Sequence, residues 1–287
     1  MFTCLRCIPV YIMNNNPLGI FDSGLGGLSV LKEIRAILPN ESIIYYADQG
    51  RVPYGPRPKE EIRKFSDEIT RLLLEHDAKV IVVACNTASA AALESLRQTF
   101  PHIPFVGMEP AIKPAAEKTK TGAIGVIATQ ATFESERFAR VVDRFAKGVR
   151  VLAQPSPDLV IQVENGEFDT PRTREILHHY LDPLLADGID SIVLGCTHYS
   201  FLAKAIGEVV GDTVEIVDPA PAVAKQVKRV IDQHGLAASA PLTSNLKGAI
   251  TAYTSGDPSD KPDLPTQMLG ESIQFQKPPK APFSGKL

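Results

Sequence analysis

Two cysteines stand at matching seams of this chain. In "VIVVACNTAS" (80–89), four β-branched residues run through Ala84 to Cys85, followed by Asn86, Thr87 and small residues. In "SIVLGCTHYS" (191–200), a similar run ends on Cys196, followed by Thr197 and His198. Each seam reads as a buried strand handing over to a helix. A thiol titrates near pH 8.5 and is lowered at a helix N-terminus, so one of the pair can be a thiolate while the other stays protonated. A thiolate on one face of a carbon acid removes a proton and a thiol on the other face returns one. Together they invert a stereocentre without a cofactor or a metal. A single free cysteine is more often a small buried hydrophobe. Two at equivalent strand ends, each with a threonine within two residues, argue for chemistry.

Other residues near strand ends suit a small anionic amino acid. In "FDSGLGG" (21–27), Asp22 can pair with an ammonium group or orient a thiol. Ser23 and the backbone amides of Gly24 to Gly27 can meet a carboxylate. The dinucleotide pattern G-x-G-x-x-G is not met, because Ser29 follows Gly24 and Gly26 at the third position. Asp48, after the next strand, imitates the ribose-binding acid of such sites. In "RVPYG" (51–55), Tyr54 and Gly55 are placed to cover a ligand. His198, two residues past Cys196, can tune that thiol or donate to substrate. Glu164 is an acid at a helix end, before Asn165 and Gly166.

The elements around these residues predict an α/β protein. The chain has 287 residues, 44% hydrophobic and 22% charged, with a net charge of -3. That balance carries no basic footprint for nucleic acid. No apolar run reaches the roughly 18 residues of a membrane span, and no signal peptide is read, so the expected compartment is the cytoplasm with reduced thiols. Cys4 and Cys7 form a lone C-x-x-C without further ligands, in a leader (1–16) expected to be disordered, and Met13 is a candidate true start. Apolar strands alternate with amphipathic helices, the pattern of parallel sheets covered on both faces. The second half repeats the first: "AIGVIATQ" (123–130) answers "LGIFDS", "VRVLAQP" answers "IIYYADQ", and the two cysteine segments answer each other. Two similar lobes related by a pseudo-twofold follow, one from 17–112 with 222–270 and one from 113–221. The ligand belongs beyond the strand ends, in the cleft between them. Residues 271–287, ending "QFQKPPKAPFSGKL", read as a mobile tail.

The segments "GIFDSGLGGLSVLKEI", "YYADQGRVPYGPRP", "VACNTASAAAL", "VGMEPAIKPA" and "LGCTHYSFL" resemble the glutamate racemases over about 17–255. The resemblance implies interconversion of L- and D-glutamate without cofactor or metal, and a supply of D-glutamate for bacterial peptidoglycan. It implies that Cys85 serves the D-isomer, assisted by Asp22, and Cys196 the L-isomer, assisted by His198 and Glu164. Substrate contacts carry over to Asp22, Ser23, Tyr54, Gly55, Asn86, Thr87, Thr197 and His198. A racemase of aspartate or a related acid with the same thiol pair is the nearest alternative. A binding protein without catalysis, a redox or lyase use of the thiols, and a pyridoxal enzyme stand further off. Nucleic acid and membrane are not expected partners; the oligomeric state is open, a homodimer being one form.

Overall fold

A computed structural model describes residues 15–238 and 247–279. The chain forms two parallel sheets flanked by helices. The first half runs β1 (Leu18–Asp22), α1 (Leu28–Ile37), β2 (Ile43–Ala47), α2 (Lys59–Glu75), β3 (Val80–Val83), α3 (Asn86–Thr99), β4 (Phe105–Gly107) and α4 (Ile112–Lys118). The second runs β5 (Ala123–Ala128), α5 (Gln130–Phe133), α6 (Glu136–Phe145), β6 (Arg150–Pro155), α7 (Asp158–Glu164) and α8 (Pro171–Ala186). It continues with β7 (Ser191–Leu194), a 3-10 turn (Thr197–Leu202), α9 (Ala203–Val210) and β8 (Glu215–Val217). Then come α10 (Ala220–His234), β9 (Ile250–Thr254), α11 (Leu264–Leu269) and β10 (Phe275–Gln276).

The six-stranded sheet has the order β10-β9-β2-β1-β3-β4 and the four-stranded sheet β6-β5-β7-β8. The order β2-β1-β3-β4 is thus repeated as β6-β5-β7-β8. The register repeats too. Phe21 pairs with Val83 and Ile127 with Leu194. Each cysteine stands two residues past the second member of its pair. Overlaying the halves therefore sets Cys85 on Cys196, Asp22 on Ala128, Ser23 on Thr129 and Thr87 on His198.

The strands are apolar on both faces because helices cover both. In β3, Val80 and Val82 face one buried cluster with Leu18, Ile20, α1 and α10. Ile81 and Val83 face another with Phe21, α2 and α3. After β8 the chain crosses back, and α10 packs on α1 and β4. Strand β9 then adds beside β2.

The expected mobile tail requires correction. Phe275 and Gln276 pair with Ala252 and Tyr253 as the edge strand β10. The Phe275 ring stands edge-on to Tyr45, centroids 5.9 Å apart. An aromatic ring with a buried partner outweighs the Lys- and Pro-rich composition that suggested disorder. Asn15 and Asn16, counted with the leader, each make an interaction. Residues 1–14, with Cys4, Cys7 and Met13, and residues 280–287 lie outside the described residues. Among the described residues, no helix is long and apolar enough to cross a membrane.

Candidate active site

Cys85 ends the chain's exit from β3 and N-caps α3, its Sγ accepting the Ala88 amide at 3.4 Å. Cys196 leaves β7 one residue after Gly195 and precedes the 3-10 turn. A Cβ on Gly195 would lie 2.8 Å from both the Ala128 Cβ and the Ile127 carbonyl oxygen, so only glycine lets the strand end approach β5 this closely. Both thiols are buried, and both line one cavity of about 220 Å³. Ser23, Tyr54, Gly55, Thr87 and His198 share its wall with Thr129, Pro157 and Val160. Asp22, Asn86, Thr197 and Glu164 are buried or nearly so just behind. Asp22 Oδ1 and both carboxamide atoms of Asn86 have no hydrogen-bond partner among the described residues.

Behind Cys85 stands Asp22. Its Oδ2 accepts the amides of Gly24 (3.2 Å) and Gly27 (3.0 Å). Burial raises the Asp22 pKa, against the His198 charge and those two amides. Burial, and then the Asp22 charge, push the Cys85 thiol well above its ordinary range, although the Ala88 amide and Ser23 hydroxyl pull it down. The expectation that a helix N-terminus lowers this thiol is therefore overturned: one amide hydrogen bond is outweighed by removal from water and by a carboxylate nearby.

Behind Cys196 stands a different device. His198 Nδ1 lies 3.6 Å from Cys196 Sγ, and its Nε2 lies 2.7 Å from Glu164 Oε1. Burial alone would lower the His198 pKa, but hydrogen bonds to Cys196 and Glu164 and the surrounding negative charge carry it well above the usual imidazole range. Burial alone would raise Glu164, but its hydrogen bond to His198, the imidazolium charge and the Leu25 amide hold it below the usual carboxylate range. The two shifts agree on a buried imidazolium–carboxylate pair. Glu164 Oε1 also accepts the Leu25 amide at 2.6 Å.

The glycine loop has a different job from the one expected of it. The amides of Gly24, Leu25 and Gly27 are taken by Asp22 and Glu164 rather than left for a ligand carboxylate. Its glycines make room: a Cβ on Gly24 would lie 2.1 Å from Glu164 Oε1, and one on Gly26 2.3 Å from His198 Nδ1. Asp48 is also not a ribose ligand. It is fully buried and accepts hydrogen bonds from Ser255 Oγ (2.6 Å), Arg51 Nε (2.9 Å) and the Tyr54 hydroxyl. It thereby holds Tyr54 in the cavity wall.

Thr129 was missed by the sequence reading. Its hydroxyl lies 2.9 Å from that of Thr87, joining the two sheets across the site. A Cβ on Gly55 would touch Thr129 at 3.1 Å. The available signal was the repeat, which sets "AIGVIATQ" on "LGIFDS" and Thr129 on Ser23.

A family model described as Asp/Glu/hydantoin racemase matches residues 25–227. The chain belongs to the Asp/Glu/hydantoin racemase family. This racemase is 49% identical over 258 residues to the glutamate racemase of Ectopseudomonas mendocina, covering 90% of this chain and 96% of that one. The crystal structure of glutamate racemase isoform RacE1 from Bacillus anthracis superposes with a TM-score of 0.81 at 34% identity, covering 92% of this chain and 97% of that chain. The glutamate racemase of Francisella tularensis in complex with D-glutamate superposes with a TM-score of 0.79 at 28% identity, covering 92% and 97%. In the racemase described here, the family match spans both cysteine-bearing strand ends.

Proposed function

We propose that this racemase interconverts L- and D-glutamate by two-base proton transfer between Cys85 and Cys196. The observation that carries the reading is the pair of thiols, one from each sheet, lining one cavity. Glutamate as substrate is supported by the similarity to racemases of that amino acid. The Cys196 thiolate, paired with the His198 imidazolium, takes the Cα proton of L-glutamate. Cys85, whose proton burial and Asp22 retain, delivers a proton to the opposite face and releases D-glutamate. The reverse reaction starts with Cys85 as thiolate and Cys196 as thiol. Asp22 Oδ1 suits the substrate ammonium group. Ser23, Asn86, Thr87 and Thr197 supply hydrogen bonds that stabilise the carboxylate as negative charge develops on it. Tyr54 and Gly55 cover the site from the loop after β2. D-Glutamate made this way serves peptidoglycan synthesis, in the cytoplasm, where Cys85 and Cys196 stay reduced. The two lobes, 17–112 with 222–270 and 113–221, belong to the same proposal.

Circular dichroism of an L-glutamate solution provides the test. Ellipticity should decay to zero with dialysed, chelator-treated protein and no added cofactor. Aspartate should turn over far more slowly, because a site that satisfies the distal carboxylate leaves polar groups unpaired when the chain is one methylene shorter. A requirement for pyridoxal phosphate, or faster turnover of aspartate, would refute the reading.

Glu164→Gln removes the charge that holds His198 protonated. Racemisation should slow roughly tenfold to a hundredfold, and the His198 imidazole should titrate at lower pH by NMR. An unmoved His198 titration would show that Glu164 does not hold it. The pair also makes stability depend on pH. Glu164 is lowered, so its contribution is present above the ordinary value of 4.5 and fades as pH falls through its folded pKa. His198 is raised, so its contribution is complete below the ordinary value of 6.5 and fades as pH rises through its folded pKa. The melting-temperature gap between the native protein and Glu164→Gln should therefore be widest between those values.

A further inference from the structure

Glu164 is gripped by the opposite half of the molecule as well as by its own. Its Oε1 takes His198 and the Leu25 amide; its Oε2 faces the carboxamide of Gln49, with Nε2 3.4 Å away. Gln49 follows β2 by two residues and so lies in the turn that leaves the six-stranded sheet. Its orientation is set from behind. Gln49 Oε1 accepts the Thr254 hydroxyl at 2.9 Å, at the end of β9. The Thr254 oxygen accepts the Gly256 amide at 3.0 Å, which leaves its one proton for Gln49. Turning the carboxamide over would set Oε1 against the Glu164 carboxylate. A Cβ on Gly256 would come within 2.9 Å of the Gln49 Cβ, so the side chain is packed closely at its root. Lys261 adds a grip on the same helix end. Its Nζ donates to the Asn165 Oδ1 at 2.8 Å and the Glu164 carbonyl at 3.2 Å, a cation at the C-terminus of α7.

We propose that Gln49 is a positioning residue for the Cys196 half of the reaction. Its carboxamide, tied to Thr254, fixes the plane of the Glu164 carboxylate, and through it the His198 ring that faces Cys196. The inference rests on the two-thiol reading above. Its content is one-sidedness. Asp22, behind Cys85, is held by amides of its own loop and has no contact with Gln49 among its hydrogen bonds. Loss of Gln49 should therefore damage one proton transfer and spare the other.

Full racemisation needs both thiols and hides this difference, so the test uses a half-reaction. The probe is glutamate bearing chlorine on Cβ, as separate L- and D-isomers. A thiolate removes the Cα proton, the Cα–H electron pair forms the Cα–Cβ double bond, and the C–Cl bond breaks to release chloride. The enamine then takes up water to give ammonium and α-ketoglutarate, which is measured. Gln49→Ala should slow elimination from the L-isomer roughly tenfold and leave the D-isomer within about twofold, at unchanged melting temperature. Gln49→Glu keeps the size but sets a negative oxygen against Glu164, and should slow the L-isomer at least as much. Equal slowing of both isomers, or no slowing of either, overturns the proposal. Cys85→Ser and Cys196→Ser run alongside separate the two levels. If they divide the isomers between them and Gln49→Ala does not discriminate, the Gln49 role alone fails. If they do not divide them, the two-thiol reading falls and the Gln49 role falls with it.

Discussion

Cys196→Ser should abolish glutamate racemisation and still eliminate chloride from the D-isomer of β-chloroglutamate through Cys85. Cys85→Ser should do the reverse, keeping the L-isomer. In the proposed mechanism each enantiomer loses its proton to one thiol and gains one from the other, so either substitution should break the cycle and leave one competent base. Loss of one general acid–base partner costs roughly a hundredfold to ten-thousandfold. The double variant should be no slower than either single one, because the thiols act as a unit. Both sites are buried, and serine differs little in volume, so the fold should persist. Two results would defeat the mechanism: the same preferred isomer in both variants, or racemisation near the native rate in either. Buried cysteines of purely structural value would then remain as the explanation.

Gly26→Ala should be nearly as damaging, without touching a reacting atom. The added Cβ would lie 2.3 Å from His198 Nδ1 and 2.7 Å from its Cγ and Cε1. The ring cannot retreat at small cost. It is 1% exposed, with Cys196 at one nitrogen and Glu164 at the other. A displaced ring loses its line to the thiol, and misplacement of about 1 Å costs on the order of a hundredfold in rate. Overpacking should add a stability loss of roughly 1–3 kcal/mol, read from urea unfolding. Racemisation within threefold of native would mean that the loop yields instead of the ring. Gly24→Ala meets Glu164 Oε1 at 2.1 Å, and offers the same experiment on the other member of the pair.

The strand ends were legible because local pattern suffices for them. Runs such as Val80–Val83 and Ser191–Leu194 are buried on both faces and stop at the residue before a small residue and a cysteine. The repeat was legible for the same reason, since the two halves keep their apolar periods and their spacing. What local pattern does not carry is the partner across the fold. The amides of the glycine loop read as free donors because Glu164, 139 residues from Leu25, is not adjacent in the chain. Cys85 read as a lowered thiol because a helix start is a local feature, whereas burial and the Asp22 charge come from packing. Asp48 matched a motif by spacing alone, while Ser255 and Tyr54 decide what it does. Phe275 lay in a polar tail, and its partners, Ala252 of β9 and the Tyr45 ring, are distant in the chain.

The repeated register has a consequence for kinetics. Overlay of the halves matches thiol with thiol but sets Asp22 on Ala128 and His198 on Thr87, so the twofold fails at the groups beside the thiols. A rotation axis could not have made the enzyme even-handed in any case, because rotation never turns a molecule into its mirror image. Even-handedness comes from solution thermodynamics: enantiomers have equal free energy in water, the equilibrium constant is one, and kcat/KM must be the same from either side. A carboxylate behind one sulfur and an imidazolium behind the other can make the two turnover numbers differ as far as the chemistry allows. Each such difference must be matched by an equal ratio of Michaelis constants, so that the lopsided machinery appears as a preference in saturation and never as a preference in direction.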